Sequence, residues 1–175
     1  MNMKNGIAIL GGSLILSTIP SMAFAADATA TSSIGATVVT PIAISKTADL
    51  NFGSFAADAN EAGTVVVAAN GTRTFTGGAD NISTTNGTLA AASFTVTGEG
   101  AATFSIALPG SVNVTHTDTT TTMSVGTFVS NPATTGTLSS GTATVTVGAT
   151  LTVAAGQLAG VYAHAAGLPV TVAYN

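Results

Sequence analysis

Hydrophobic and polar residues alternate through most of this chain, and the alternation is longest near its start. Ile34, Ala36, Val38, Thr40, Ile42 and Ile44 share one face, with Thr40 the only polar member. That spacing predicts a β-strand with one buried face, because a slip of one residue would turn the whole set outward. A second strand-like piece follows at Asp49 to Phe55, with Leu50, Phe52 and Gly53. The first strand has no partner nearby in the sequence. It must add either to the sheet of its own domain or to the edge of a neighbour's, and the second choice makes a polymer.

The body of the chain repeats the pattern in shorter runs. Thr64 to Ala69, centred on Val65, Val66 and Val67, ends at Asn70-Gly71, a hairpin pair in which both residues tolerate positive φ, so Thr72 to Thr76 is predicted to return antiparallel. Gly77-Gly78 and Asn86-Gly87 bracket a polar loop around Ile82. Thr88 to Thr97 places Ala92, Phe94 and Val96 inward, and Gly98-Glu99-Gly100 is expected to close a hairpin into Ala102 to Leu108, where Phe104, Ile106 and Leu108 point in. Pro109-Gly110 turns the chain into a short strand at Val112 and Val114. A polar loop, His116 to Thr122, precedes the alternating Met123, Val125, Thr127 and Val129, which stop at Asn131-Pro132. Thr144 to Val153 is the clearest run, with Val145, Val147, Ala149, Leu151 and Val153 on one side and Gly148 marking a bulge or bend. Leu168, Val170, Val172 and Tyr174 close the chain on one face. Short strands between Gly, Pro and Asn turns predict an all-β fold: an antiparallel immunoglobulin-like or jelly-roll β-sandwich with an N-terminal extension strand.

The first residues read differently. Lys4, the apolar run Ile7 to Ile19 and the small residues of Ala23-Phe24-Ala25 have the order of a cleaved signal peptide, and the run is shorter than the roughly 20 residues a membrane span needs. The expected division is therefore 1–25 signal peptide, 26–45 extension and candidate donor strand, and 46–175 β-sandwich domain. The protein is expected to be exported to the periplasm and then to the cell surface or an extracellular fibre.

Cysteine is absent, so burial and strand pairing must supply the stability. After removal of the signal peptide, Lys46 and Arg73 stand against seven acidic residues; two minus seven gives a formal net charge of −5. Such a surface repels phosphate backbones, which excludes a nucleic-acid partner. With 46% hydrophobic and 6% charged residues the chain is also the opposite of a disordered one.

Candidate chemistry is sparse. His116 and His164 have no Asp or Glu at a spacing that would orient either ring, and both read as surface histidines. Asp58, Asn60 and Glu61 do not match a recognised calcium loop and read as a solvated turn, and on a loop without an apolar pocket Asp58 and Glu61 make a poor glycosidase pair. No Gly-x-Ser-x-Gly elbow and no phosphate-cradling glycine loop is present. The chain is read as a non-enzyme with no cofactor, no metal and no nucleotide.

Three pieces, ATVVTPIAISKTADLNFGSF, AASFTVTGE and VGATLTVAAGQLAGVYAHAAGLPVTVAYN, resemble the bacterial domain-of-unknown-function family 4402. More distantly, Leu50-Asn51-Phe52-Gly53 and the end from Gly160-Val161-Tyr162 to Val172-Ala173-Tyr174 are similar to archaic chaperone-usher pilins and the spore coat protein U group. In those pilins the immunoglobulin-like domain lacks its last strand; a periplasmic chaperone fills the gap, and the N-terminal extension of the next subunit then replaces it. The resemblance implies an exported structural subunit of a pilus- or fimbria-like fibre. Its donor strand would present Ile34, Ala36, Val38, Ile42 and Ile44, and its chaperone or acceptor edge Val170, Val172 and Tyr174. Partners would be copies of itself or related subunits, a periplasmic chaperone and an outer-membrane usher. The alternative is a non-polymerising secreted or surface-attached adhesion or binding module. The chain departs from the pilin pattern in lacking a cysteine pair and in carrying Pro169 inside the expected last strand, which places the start of regular pairing at Val170.

Overall fold

A computed structural model describes residues 27–82 and 88–175; the expected signal peptide and the Asn86-Gly87 turn lie outside them. Residues 38–175 form one compact unit, and residues 27–37, which belong to a separate N-terminal unit, carry no regular secondary structure. In chain order the strands are β1 (Ala43–Ala48), β2 (Asn51–Phe52), β3 (Ala56–Ala57), β4 (Gly63–Val67), β5 (Arg73–Gly77), β6 (Ala79–Asp80), β7 (Leu89–Ala90), β8 (Ala92–Thr97), β9 (Thr103–Ala107), β10 (Ser111–His116), β11 (Thr122–Asn131), β12 (Thr135–Thr137), β13 (Thr142–Val153), β14 (Tyr162–Ala163) and β15 (Thr171–Tyr174). The described residues contain no helix.

β13 organises the larger sheet. Along one edge it pairs antiparallel with β11; along the other it pairs first with β8, over Thr142 to Val147, and then with β4, over Ala149 to Val153. Gly148 sits at the change of partner, where a Cβ would run into the Val67 carbonyl oxygen and the backbone of Ala68 and Ala69. The glycine expected to mark a bulge or bend thus permits two strands to share one edge. The sheet order is β1-β8-β13-β11-β10-β14, with the β4–β5 hairpin joined through β13, and a three-stranded sheet, β12-β9-β15, lies apart from it.

The inward face of β13 serves two hydrophobic clusters. Val145 and Val147 join Ala92, Phe94 and Val96 of β8 against Phe104 and Ile106 of β9 and Leu138, so the small sheet packs on the large one. Ala149, Leu151 and Val153 join Val65, Ala79, Met123 and Val125. Each fully buried Val or Leu here contributes about 1.5–3 kcal/mol. The fold is an all-β, antiparallel, sandwich-like domain.

Three local readings are corrected. Gly98 to Gly100 closes no hairpin: β8 lies in the large sheet and β9 in the small one, so this turn carries the chain across the core, and both strands point their apolar residues into the same cluster from opposite sides. In β11, two residues between Gly126 and Val129 oppose the single Ala149, with Thr127 at φ 48°. This bulge reverses the parity, turning Phe128 inward and leaving Val129 50% exposed. The Asn70-Gly71 hairpin forms as expected, with β4 antiparallel to β5; Gly71 supplies the positive φ, at 84°, its N–H donates to the Ala68 carbonyl and the Asn70 side chain caps Thr72. Finally, β1 begins only at Ala43, so the long strand predicted from Ile34 does not form within the chain, and Pro41, which has no N–H, lies immediately ahead of the regular pairing.

Replacing Gly148 with Ala is expected to destabilise the domain by about 1–3 kcal/mol through forced backbone displacement. Gly110→Ala, where a Cβ meets nothing within 4 Å, should be close to neutral. Urea midpoints at an unchanged m-value check both.

Candidate functional site

The N-terminal segment enters the compact unit through an anchored residue, Thr40. Its N–H donates to Oε2 of Glu99 at 2.9 Å, and its carbonyl accepts from the Tyr174 hydroxyl at 2.7 Å. The same hydroxyl accepts the N–H of Glu99 at 2.6 Å, which closes a ring of three residues. Glu99 stands in the turn that crosses between the sheets and Tyr174 ends β15, so the ring ties together the root of the extension, the crossover and the last strand. Gly98 makes room for it, since a Cβ there would collide with the Tyr174 hydroxyl. The hydrogen bond from the Thr40 backbone, followed by that from its side chain, holds the Glu99 carboxyl below its ordinary value. Beside the ring is an open depression of about 400 Å³ lined by Val39, Ala102, Thr103 and Asn175 together with Glu99 and Tyr174.

The predicted donor residues separate at Pro41. Ile34 and Val38 are 99% and 97% exposed, and Ala36 is exposed too. Ile42 and Ile44, by contrast, are half-buried against the first cluster, alongside Val170, Val172 and Tyr174. Within this chain, β1 pairs with β8 and these two residues pack on the domain's own core. The predicted acceptor residues lie on β15 and just before it. Val172 pairs with Ile106 and Tyr174 with Phe104, while the other edge of β15 has no strand partner among the described residues. Pairing starts at Thr171, past Pro169.

His116 is not a surface histidine. Its side chain is 10% exposed, lies 4.9 Å from the tilted Tyr162 ring and sits where a Cβ on Gly160 would fall. Its Nδ1 accepts the Asp118 N–H at 3.0 Å. The Asp118 carboxylate in turn accepts the N–H groups of Thr121 and Thr120 and the Thr121 hydroxyl, which drive its carboxyl well below the usual range. The cluster locks the β10–β11 loop. His164 Nδ1 bonds the Asn113 carbonyl at 2.9 Å. Asp58 accepts the N–H groups of Asn60 and Glu61, as a solvated turn does. Among the described residues no group of His, Asp and Glu has the arrangement of a metal site.

Sequence reasoning missed the Thr40–Glu99–Tyr174 ring, whose members are up to 134 positions apart. It also missed Arg73, whose Nη1 donates to the carbonyls of Phe52 and Ser54 and whose Nη2 donates to Asn81, with the guanidinium 4.7 Å over the Phe75 ring. Gly53, at φ 67°, leaves space for that guanidinium. A lone arginine in a nearly uncharged strand, close to a glycine-containing Leu50-to-Phe55 segment, was the available signal.

The fold and this anchored, uncovered segment define a sandwich-like β-domain with an N-terminal apolar arm. The profile of a domain of unknown function (DUF4402) matches residues 42–174, well over half of the chain, and the chain belongs to that family. No curated protein and no solved structure gives a significant match.

Because the Glu99 carboxyl is held below its ordinary value of 4.5, its bond to Thr40 is fully present above that pH and is lost as the pH falls through the lowered value. The Thr40 amide resonance should stay constant from neutral pH down to about 4.5 and shift only below it. Glu99→Gln should remove the acidic transition. Movement of the resonance at higher pH would contradict the ring.

Proposed function

We propose that the protein is an exported structural subunit of a cell-surface fibre, polymerising by donation of its N-terminal segment to the next subunit. The observation that carries this reading is the near-complete exposure of Ile34 and Val38, two large apolar side chains ahead of Pro41. Apolar residues left this open in a secreted chain mark a surface that acquires a partner. Residues 27–39 reach about 40 Å when extended, enough to line a long sheet edge. Burying Ile34 and Val38 adds about 1.5–3 kcal/mol each, and strand pairing adds ladder hydrogen bonds.

The free edge of β15, with Val172 and Tyr174 on its inner face and Val170 just ahead of it, is the acceptor in this reading. Donor and acceptor are different surfaces, so the contact is heterologous and repetition gives an open filament. A periplasmic chaperone would cover that edge before assembly, and an outer-membrane usher would thread the subunits outward. The second reading, a non-polymerising secreted or surface-attached binding module, is favoured by one fact: β1 already fills an edge of the domain's own sheet.

Replacing Ile34 and Val38 together with Asp should leave the fold and melting temperature unchanged and abolish filaments in electron micrographs of assembled material. Normal filaments from that variant, or unchanged behaviour after deletion of residues 27–39, would favour the module.

A further inference from the structure

Two free strand edges lie beside one another in this domain. β1 ends the large sheet and β15 ends the small one; neither has a strand on its outer side among the described residues, and both rest residues on the first hydrophobic cluster. Backbone geometry alone would let an incoming arm pair with either. Their chemistry differs. In β1, Ile44 pairs with the buried Val96 and Lys46 with the buried Phe94, and residues paired across strands share one face of the sheet. Lys46 therefore leaves the backbone on the core side, in line with Ile44. Its stem turns back to solvent, with 59% of the side chain exposed and Nζ 2.6 Å from Asp49. Next to it the register shifts, and Thr47 is left without a partner between Lys46 and Ala48. β15, by contrast, carries no charge and pairs with β9 through all four residues without a shift.

We propose that Lys46 is a specificity-determining residue for assembly: a lysine on the core side of the edge, beside a bulge, closes β1 to an incoming arm and leaves β15 as the acceptor. The inference rests on the donor-arm reading above and adds the reason the arm chooses one edge. A strand added outside β1 would set an apolar arm residue against the Lys46 ammonium and take that charge out of water, and its ladder would be interrupted at the bulge. Inward charges and bulges are the devices by which free edges are kept from pairing. The remaining edges of the two larger sheets agree, since β5 opens with Arg73 and β12 and β14 are only three and two residues long. One open edge for one arm gives an unbranched filament, whereas two would let a subunit accept two neighbours.

The probe is a synthetic peptide of residues 27–39, added to the full chain carrying Ile34→Asp/Val38→Asp so that its own arm does not compete. Titration calorimetry should give one peptide per chain, and hydrogen exchange should show new protection in β15 and none in β1. The Lys46–Asp49 pair is exposed and adds little to stability, so adding Lys46→Val should leave circular dichroism and melting unchanged. It should raise the stoichiometry to two and bring protection to β1. Lys46→Thr, neutral but not apolar, should do the same, and Lys46→Arg should stay at one. One peptide per chain in both neutral variants, or two in the parent, would overturn the proposal and leave the donor-arm reading standing. No binding to any of these chains would overturn both.

Discussion

The structure depends on one strand keeping one face buried along its whole length. Val145, Val147, Ala149, Leu151 and Val153 all point the same way from β13, and they supply two hydrophobic clusters in turn. A single strand can do this only if its far edge accepts two successive partners, and Gly148 is the position where the backbone of one ends against it. The bulge in β11 answers the same demand from the other side. By reversing the parity after Gly126 it turns Phe128 inward, and that ring reaches both clusters. The large sheet is thus bent around its own core, and the three-stranded sheet covers one end.

With the core arranged in this way, the first and last strands of the domain meet at one place. β1 lies on the edge of the large sheet and β15 on the edge of the small one, and Thr40, Glu99 and Tyr174 join the two by hydrogen bonds. Ile42 and Ile44, just C-terminal to Pro41, are committed to the domain's interior. The apolar residues before it are not, and this asymmetry between Ile42 and Ile44 on one side and Ile34 and Val38 on the other is the physical basis of the fibre reading.

Alternation made the strands legible. β8, β13 and β15 were readable with their inward residues because their periodicity is uninterrupted, and the Asn70-Gly71 hairpin was readable because its turn chemistry is local. What escaped was decided by distant contacts. Gly98-Glu99-Gly100 reads like any hairpin turn, and only the pairing of β9 with β12 and β15 shows that the chain changes sheets there. The inward turn of Phe128 depends on a bulge opposite Ala149, which leaves no trace in the spacing of Met123, Val125 and Val129. The even stripe from Ile34 to Ile44 hid the division at Pro41, since proline falls on the opposite face and leaves the apolar pattern intact. Burial of His116 against Tyr162 was likewise invisible, because the two residues are brought together only by the pairing of β10 with β14.

The central claim is that the domain is completed by its own β1 while the segment before Pro41 remains available to another molecule. Hydrogen–deuterium exchange on unassembled and assembled protein tests it most directly. The account predicts that β1 amides such as Ile44 are protected in both states, and that amides of residues 27–39 exchange freely in the unassembled protein and become protected on assembly. Protection of residues 27–39 before assembly, or of β1 only after it, would contradict the account.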